Sequence, residues 1–146
     1  MSKKSRFFVK TPFIMDQMEK HFYNVLLHAV ESHYYVWPKV HLTDILQPSN
    51  ELEQKIYEKF CQLADKHVDF VLCEKERFHP LLVIRFKRMI SHPDEVYKKE
   101  ESMLIDILDI AGIPLLIESA TELDSYKTVT EYEAMRERIT MALKKS

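Results

Sequence analysis

The chain has 146 residues, 46% apolar and 30% charged, so it has the length of one domain and enough apolar residues to bury a core. Its formal net charge of −2 excludes a uniformly basic nucleic-acid coat protein. Average usage would give about ten glycines, yet Gly112 is the only one, which excludes sites built on glycine-rich loops, such as dinucleotide fingerprints, Walker loops and nucleophile elbows.

The first half of the chain predicts a helix, an edge strand and one helical turn after a flexible basic arm at residues 1–10. A Thr-Pro pair followed by an apolar stripe at three-to-four spacing predicts a helix over 11–31. Aromatic and β-branched residues over 34–40 predict a strand, and Pro38 within it indicates either a sheet edge or an irregular end. Residues 42–46 then predict a single helical turn.

The middle of the chain predicts a second helix and a hairpin. Asn50 and Glu53 have capping-box spacing before an apolar stripe that ends near Leu63. Two strands, over 67–73 and 81–88, follow and are joined by the polar turn EKERFHP.

The last third predicts two helices with a short strand between them. An apolar stripe over 94–111 predicts a third helix, and Gly112 ends it as a left-handed cap. Residues 114–118 predict a buried strand, and Thr130 and Glu133 repeat the capping-box spacing before a final helix. The whole order predicts one α/β domain over 11–146, with a mixed four-stranded sheet flanked by helices.

Charged side chains on the two hairpin strands are the first candidates for chemistry. Because side chains alternate along a strand, Asp69, Arg85 and Lys87 share one face if the strands pair. A carboxylate among apolar neighbours requires a partner. The three residues therefore predict either an ion-pair cluster or a degraded metal site.

The segments KHVDFVLC, PLLVIRFKR and AGIPLL, taken together, resemble the PD-(D/E)XK nuclease superfamily. The likeness covers about residues 13–117 and is greatest to a bacterial family of unknown function related to very-short-patch-repair endonucleases. It implies a restriction-endonuclease-like core in αβββαβ order, here with an inserted helix and a C-terminal helix.

The resemblance also implies roles for particular residues. In that superfamily an Asp on one strand and an acid on the next hold Mg²⁺, while a nearby Lys or second acid orients or activates the water. Asp69 matches the Asp, Lys87 stands where the E-x-K form of the motif has its lysine, and Glu19 matches an acid on the first helix.

The chain departs from the family pattern where the second metal ligand belongs. At these four positions the resembled family has a sequence similar to IELD, whereas this chain has Ile84, Arg85, Phe86 and Lys87. The fixed positive charge of Arg85 repels a cation instead of binding it. We therefore predict a degenerate catalytic site made of Glu19, Asp69 and Lys87, with no metal and no other cofactor.

Two arrangements would satisfy Asp69. A direct ion pair with Arg85 would replace the metal by a permanent cation, and we favour this one. Alternatively, an acid has migrated to the next helix, so that Glu100 or Glu101 completes a Mg²⁺ site with Asp69.

Basic residues near the hairpin suggest a nucleic-acid-binding surface that residues 1–10 could extend. The candidates are Arg77, Arg88, His92, Lys98 and Lys99. Interspersed glutamates make a solvated charged surface the competing interpretation. Tyr34, Tyr35 and Trp37 could stack on bases, although an aromatic strand is more often part of a core or an interface.

Three hypotheses for function follow. The leading one is a catalytically degenerate nuclease-like domain that retains binding to DNA or to a protein partner in a DNA-processing system. The second is an active Mg²⁺-dependent DNA endonuclease, and the third is an assembly module, such as a homodimer through the aromatic strand, without nucleic-acid binding. Two cysteines without metal-site spacing and no apolar run long enough for a signal peptide or membrane span predict a cytoplasmic location and no membrane partner.

Overall fold

A computed structural model describes residues 7–11, 13–87, 92–119 and 129–145, with the side chains of the last helix described from Tyr132 onward. Five helices and four strands lie within these ranges. Their bounds are α1 Gln17–Val30, β1 Tyr34–His41, α2 Leu42–Ile45, α3 Gln54–Leu63, β2 His67–Glu74, β3 Pro80–Lys87, α4 Glu95–Ala111, β4 Leu115–Ser119 and α5 Val129–Leu143.

The four strands form one sheet in the order β1-β2-β3-β4. Strand β2 is antiparallel to both of its neighbours, β1 and β3. Strand β4 runs parallel to β3 because α4 crosses between them. The predicted α/β class with a mixed four-stranded sheet flanked by helices is therefore confirmed. Strand β1 is an edge strand of this sheet, as Pro38 indicated, since a proline has no N–H to donate to a second neighbour.

Alternation along the middle strands divides the core into two layers. Phe70 belongs to the layer under α1 and α5, and Val71 belongs to the layer under α2, α3 and α4. In the first layer the ring of Phe22 packs against Phe70 and Phe86, with centroids 5.4 and 4.9 Å apart. Burial of each such ring contributes about 1.5–3 kcal/mol to the stability of this layer.

The first helix begins later than its Thr-Pro pair predicts. Helix α1 starts at Gln17, because the Asp16 carboxylate accepts the backbone N–H of Glu19 at 2.9 Å and the Glu19 carboxylate accepts that of Asp16 at 3.5 Å. This reciprocal capping box satisfies two of the backbone N–H groups that the start of a helix leaves without a partner in the helix.

Two other predicted capping boxes are wrong. Helix α3 begins at Gln54, and its N-cap Glu53 makes no side-chain capping hydrogen bond, so Asn50 lies before the helix start. Thr130 already lies inside α5, which begins at Val129. The spacing alone matched both sites, but neither residue occupies the N-cap position.

Helix α4 has the predicted ends. The Asp94 carboxylate accepts the N–H of Tyr97 at 2.7 Å, and Gly112 follows the last turn with a φ of 75°. The left-handed region is open to glycine at little cost, which explains the position of the only glycine.

The predicted basic arm lies largely outside the described residues. Residues 7–10 contain neither helix nor strand, and the side chain of Phe8 is exposed. Among the described helices, none combines the length and apolar character that crossing a bilayer requires.

Candidate functional site

Six charged residues, joined by ion pairs or by charge effects on Asp69, lie around the point where β2 and β3 separate. We call them the charged cluster, and they are Glu19, Lys39, Asp69, Arg85, Lys87 and Glu101. Strand alternation brings Arg85 and Lys87 to the face that α4 covers, and helix α1 and strand β1 contribute one residue each. The cluster thus draws on five elements of the fold.

Asp69 is satisfied by the backbone of the neighbouring strand. The ladder between β2 and β3 pairs Phe70 with Ile84, and just beyond it Asp69 Oδ2 accepts the N–H of Phe86 at 2.8 Å. The side chain therefore supplies the acceptor that a strand carbonyl would otherwise provide. This is a structural role that a strand acid can perform without a metal.

Burial raises the pKa of the Asp69 carboxyl above its usual range. The hydrogen bond from the Phe86 N–H opposes this shift, followed by the attraction of Arg85, His67 and Lys39. The loss of hydration outweighs these four effects. Ionising Asp69 therefore costs more free energy in the folded protein than in the unfolded chain.

The predicted ion pair between Asp69 and Arg85 is not formed, because the guanidinium turns to α4 instead. Arg85 Nη2 donates to the Tyr97 hydroxyl at 3.2 Å, and Arg85 Nε lies 3.9 Å from Glu101 Oε1. The guanidinium carbon is also 5.5 Å from the centroid of the Tyr97 ring. Arg85 therefore acts on Asp69 only at longer range, through its charge.

Lys87 completes the pairing of Glu101. Its ammonium nitrogen lies 3.2 Å from Glu101 Oε2, so two cations hold one carboxylate whose side chain is only 16% exposed. Lys87 thus lies in the charged cluster, and its ammonium group pairs with Glu101 of α4.

Lys39 is a member of the cluster that the sequence analysis missed. The ladder pairs its neighbours in β1 with Phe70 and Val68 of β2, while Lys39 itself has a left-handed φ of 52°. This conformation aims its ammonium group at the carbonyl of Ile14 and to within 3.9 Å of Glu19 Oε2. Glu19 therefore lies beside a lysine as well as serving in the α1 capping box.

The acids of this region do not form a donor set for a metal ion. Each of Glu19 and Glu101 lies within ion-pair distance of a cation, and Glu100 lies 3.7 Å from Lys66. Among the residues that the structure describes, no group of three or more His, Cys, Asp or Glu side chains could hold a metal. The arrangement does not fit Mg²⁺, which needs several oxygen ligands free to approach it.

The candidate nucleic-acid-binding residues fall at two ends of the sheet. His92, Lys98 and Lys99 are exposed near the start of α4, on the side of the charged cluster. Arg77 lies in the turn between β2 and β3, at the opposite end of β3, whose length at about 3.3 Å per residue is roughly 23 Å. Arg88 lies outside the described residues, as do the first six residues of the basic arm.

A family model described as "Protein of unknown function (DUF2726)" matches residues 12–135, which is well over half of the chain. The chain belongs to this family. The matched region of this DUF2726 member contains every residue of the charged cluster. No curated protein and no solved structure matches the chain at a significant level.

Proposed function

We propose that this DUF2726 member is a nuclease-like domain with a degenerate catalytic site that retains binding to DNA in a cytoplasmic DNA-processing system. The proposal joins the resemblance of the strand segments to PD-(D/E)XK nucleases with the charges around Asp69. The free thiols of Cys61 and Cys73 agree with a reducing compartment.

One observation supports the proposed loss of catalysis. Arg85 and Lys87, at the positions where the resembled family has acids, both direct their charges to Glu101. A metal-dependent phosphodiesterase needs carboxylates that gain by binding a cation. Here the available carboxylate already has two permanent cations beside it.

An active enzyme with a migrated acid is the less favoured alternative. Glu101 would have to leave Lys87 and Arg85 in order to ligate a metal beside Asp69. Arg85 would then remain at the site without its acid, where its charge opposes the metal.

Binding to DNA is supported by the exposed cations next to the cluster. Lys98 and Lys99 lie where the first turn of α4 passes into the second, and Lys98 is 3.7 Å from the highly exposed Glu95. Exposed pairs of this kind are weak and are readily exchanged for a phosphate contact.

The cleavage half is tested by incubating plasmid DNA with Mg²⁺ or Mn²⁺ and either the wild type or Asp69→Ala. We expect the same background level of products from both proteins. Cleavage that requires Asp69 would overturn the degenerate site and favour the active enzyme.

The binding half is tested by fluorescence anisotropy with a labelled DNA duplex over a range of salt concentrations. Replacing Lys98 and Lys99 by Gln should weaken binding and reduce the log–log salt slope by about 1 per lysine removed. The matched control replaces Lys144 and Lys145, two exposed lysines after α5, and should leave both quantities unchanged. A protein with no affinity for the duplex even at low salt would overturn the proposed binding of DNA by Lys98 and Lys99.

A further inference from the structure

Three exposed aromatic side chains meet at the edge of the sheet, on strand β1 and the turn between β2 and β3. We call Tyr35, Trp37 and Phe78 the aromatic corner; they are 40%, 48% and 51% exposed. The rings of Tyr35 and Phe78 are stacked at 5.0 Å with 8° between their planes, and Trp37 lies 6.3 Å from Phe78 at 58°. A cavity of about 380 Å³ adjoins Trp37 and Phe78.

The corner borders a cavity whose other wall includes two residues of α2, Asp44 and Ile45. Tyr35 and Trp37 pair across the ladder with Cys73 and Val71, which are buried in the layer under α2, α3 and α4. The buried residues form the floor of the cavity, while the aromatic rings beside them remain in contact with solvent.

The backbone is strained at two residues that line this cavity. Phe78 has a φ of 60° and Lys39 a φ of 52°, although neither is glycine. A bulky residue in the left-handed region costs stability. The Phe78 ring is half exposed, so its packing within the chain offsets only part of this cost.

The turn beside the corner offers cations to a phosphate. Glu74 lies 3.3 Å from His79, whereas Lys75 and Arg77 have no acid within ion-pair distance among the residues described. With His79 neutral the turn has no net charge, so what it offers a phosphate is these two cationic side chains and not an excess of charge. The ammonium of Lys75 also lies 5.1 Å from the centroid of the Tyr35 ring.

We propose that the aromatic corner binds an unpaired base of single-stranded nucleic acid, with the base against Trp37 and Phe78 and its phosphates near Lys75 and Arg77. A sheet edge with exposed rings and adjacent cations is the arrangement that stacks splayed bases without needing their sequence. The proposal rests on the proposed nucleic-acid function and names its substrate class and surface.

A second copy of the chain fits this edge less well. Pro38 removes a backbone donor from β1, and the left-handed Lys39 interrupts its regular geometry. Both features oppose the addition of another strand. A single base needs only a ring face and a nearby cation.

The experiment uses Trp37, which is the only tryptophan of the chain. Labelled oligo(dT), oligo(U), thymidine monophosphate and duplex DNA are titrated while anisotropy and tryptophan emission are both recorded. We expect the single strands to quench Trp37 emission in step with the rise in anisotropy, and duplex to bind without quenching.

A matched pair of variants assigns the effect to the corner. Phe78→Gly removes the ring at a position whose φ glycine adopts freely, so it should fold and bind single strands about tenfold more weakly. Tyr57→Ala removes an exposed ring from α3, outside the corner, and should leave the affinity unchanged.

The outcomes separate this proposal from the general function. Single-strand binding without quenching of Trp37 would overturn the corner and leave nucleic-acid binding standing. A blue shift of Trp37 emission with protein concentration alone would also overturn it, because a second copy would then cover the rings. Absence of binding to every single strand and to duplex would overturn both proposals.

Discussion

Asp69 and Phe86 are joined across the point where two strands of the sheet separate. The Asp69 carboxylate accepts the Phe86 N–H at 2.8 Å, while burial raises the pKa of the same carboxyl. The group is therefore needed as an acceptor and is penalised as a charge. These two properties can be separated by substitution.

Asp69→Asn and Asp69→Ala should have opposite consequences for stability. An amide oxygen can still accept from Phe86 and carries no charge, so Asp69→Asn should be at least as stable as the wild type at neutral pH. Asp69→Ala leaves the N–H without its acceptor and should lose about 1–3 kcal/mol. Urea denaturation of the three proteins measures both effects, and equal losses for the two variants would contradict the separation.

The raised pKa of Asp69 also predicts how stability depends on pH. Between the ordinary aspartate value of about 3.9 and the raised pKa of the folded state, the folded protein binds more protons than the unfolded chain. This contribution to stability is therefore present at low pH and lost as the pH rises through that window. The free energy of unfolding of the wild type, minus that of Asp69→Asn, should fall across the window and stay constant above it.

Lys87 and Glu101 should show a measurable coupling energy. Their atoms are 3.2 Å apart and their side chains are 41% and 16% exposed, so a double-mutant cycle with Lys87→Met and Glu101→Gln should give about 0.5–1 kcal/mol. The more exposed pair Lys59–Asp106, at 3.4 Å, is the matched control and should give less. Coupling that does not decrease with added salt would argue against an ion pair.

The elements of the sheet could be predicted because their signals are local. Period-two alternation identifies β2 and β3, and the left-handed cap at Gly112 identifies the end of α4. Helix starts were less predictable, since Thr-Pro at 11–12 and Asp16 are both acceptable beginnings. Only the tertiary structure decides between two such competing signals.

The partners within the candidate site were harder to predict than its members. Asp69, Arg85 and Lys87 follow from strand register, but the acid that Arg85 meets depends on how α4 crosses the sheet. Lys39 depends on a left-handed backbone that no pattern in β1 encodes. The aromatic corner similarly needs Phe78, which lies in a turn and has no periodic signal.

Gly112→Ala should destabilise the protein by about 1 kcal/mol. No atom lies within 4 Å of the position that a Cβ would occupy, so the cost comes from the φ of 75° and not from a clash. Gly112→Asn should lose less, because asparagine adopts this region more readily. Thermal or urea unfolding measures the order, and a larger loss for Asn than for Ala would contradict it.

Arg85→Glu should bind divalent cations more tightly than the wild type does. The substitution replaces a permanent cation by a carboxylate on the strand next to Asp69, and it also releases Glu101 from one of its two cations. Two carboxylates on neighbouring strands, that of Asp69 and the one introduced at position 85, would then gain from a cation between them, and Glu101 could join them by leaving Lys87. At Mn²⁺ concentrations ten times the dissociation constant, the variant should gain about 1.4 kcal/mol in the free energy of unfolding.

The control for this gain is Arg85→Gln, which removes the guanidinium without adding a ligand. It should respond to Mn²⁺ as weakly as the wild type does, so that the response of Arg85→Glu is assigned to the new carboxylate. Lys87 stays in all three proteins and keeps the lysine of the resembled motif in place. If the wild type is stabilised by Mn²⁺ as much as Arg85→Glu, the guanidinium does not exclude a metal, and the degenerate site is wrong.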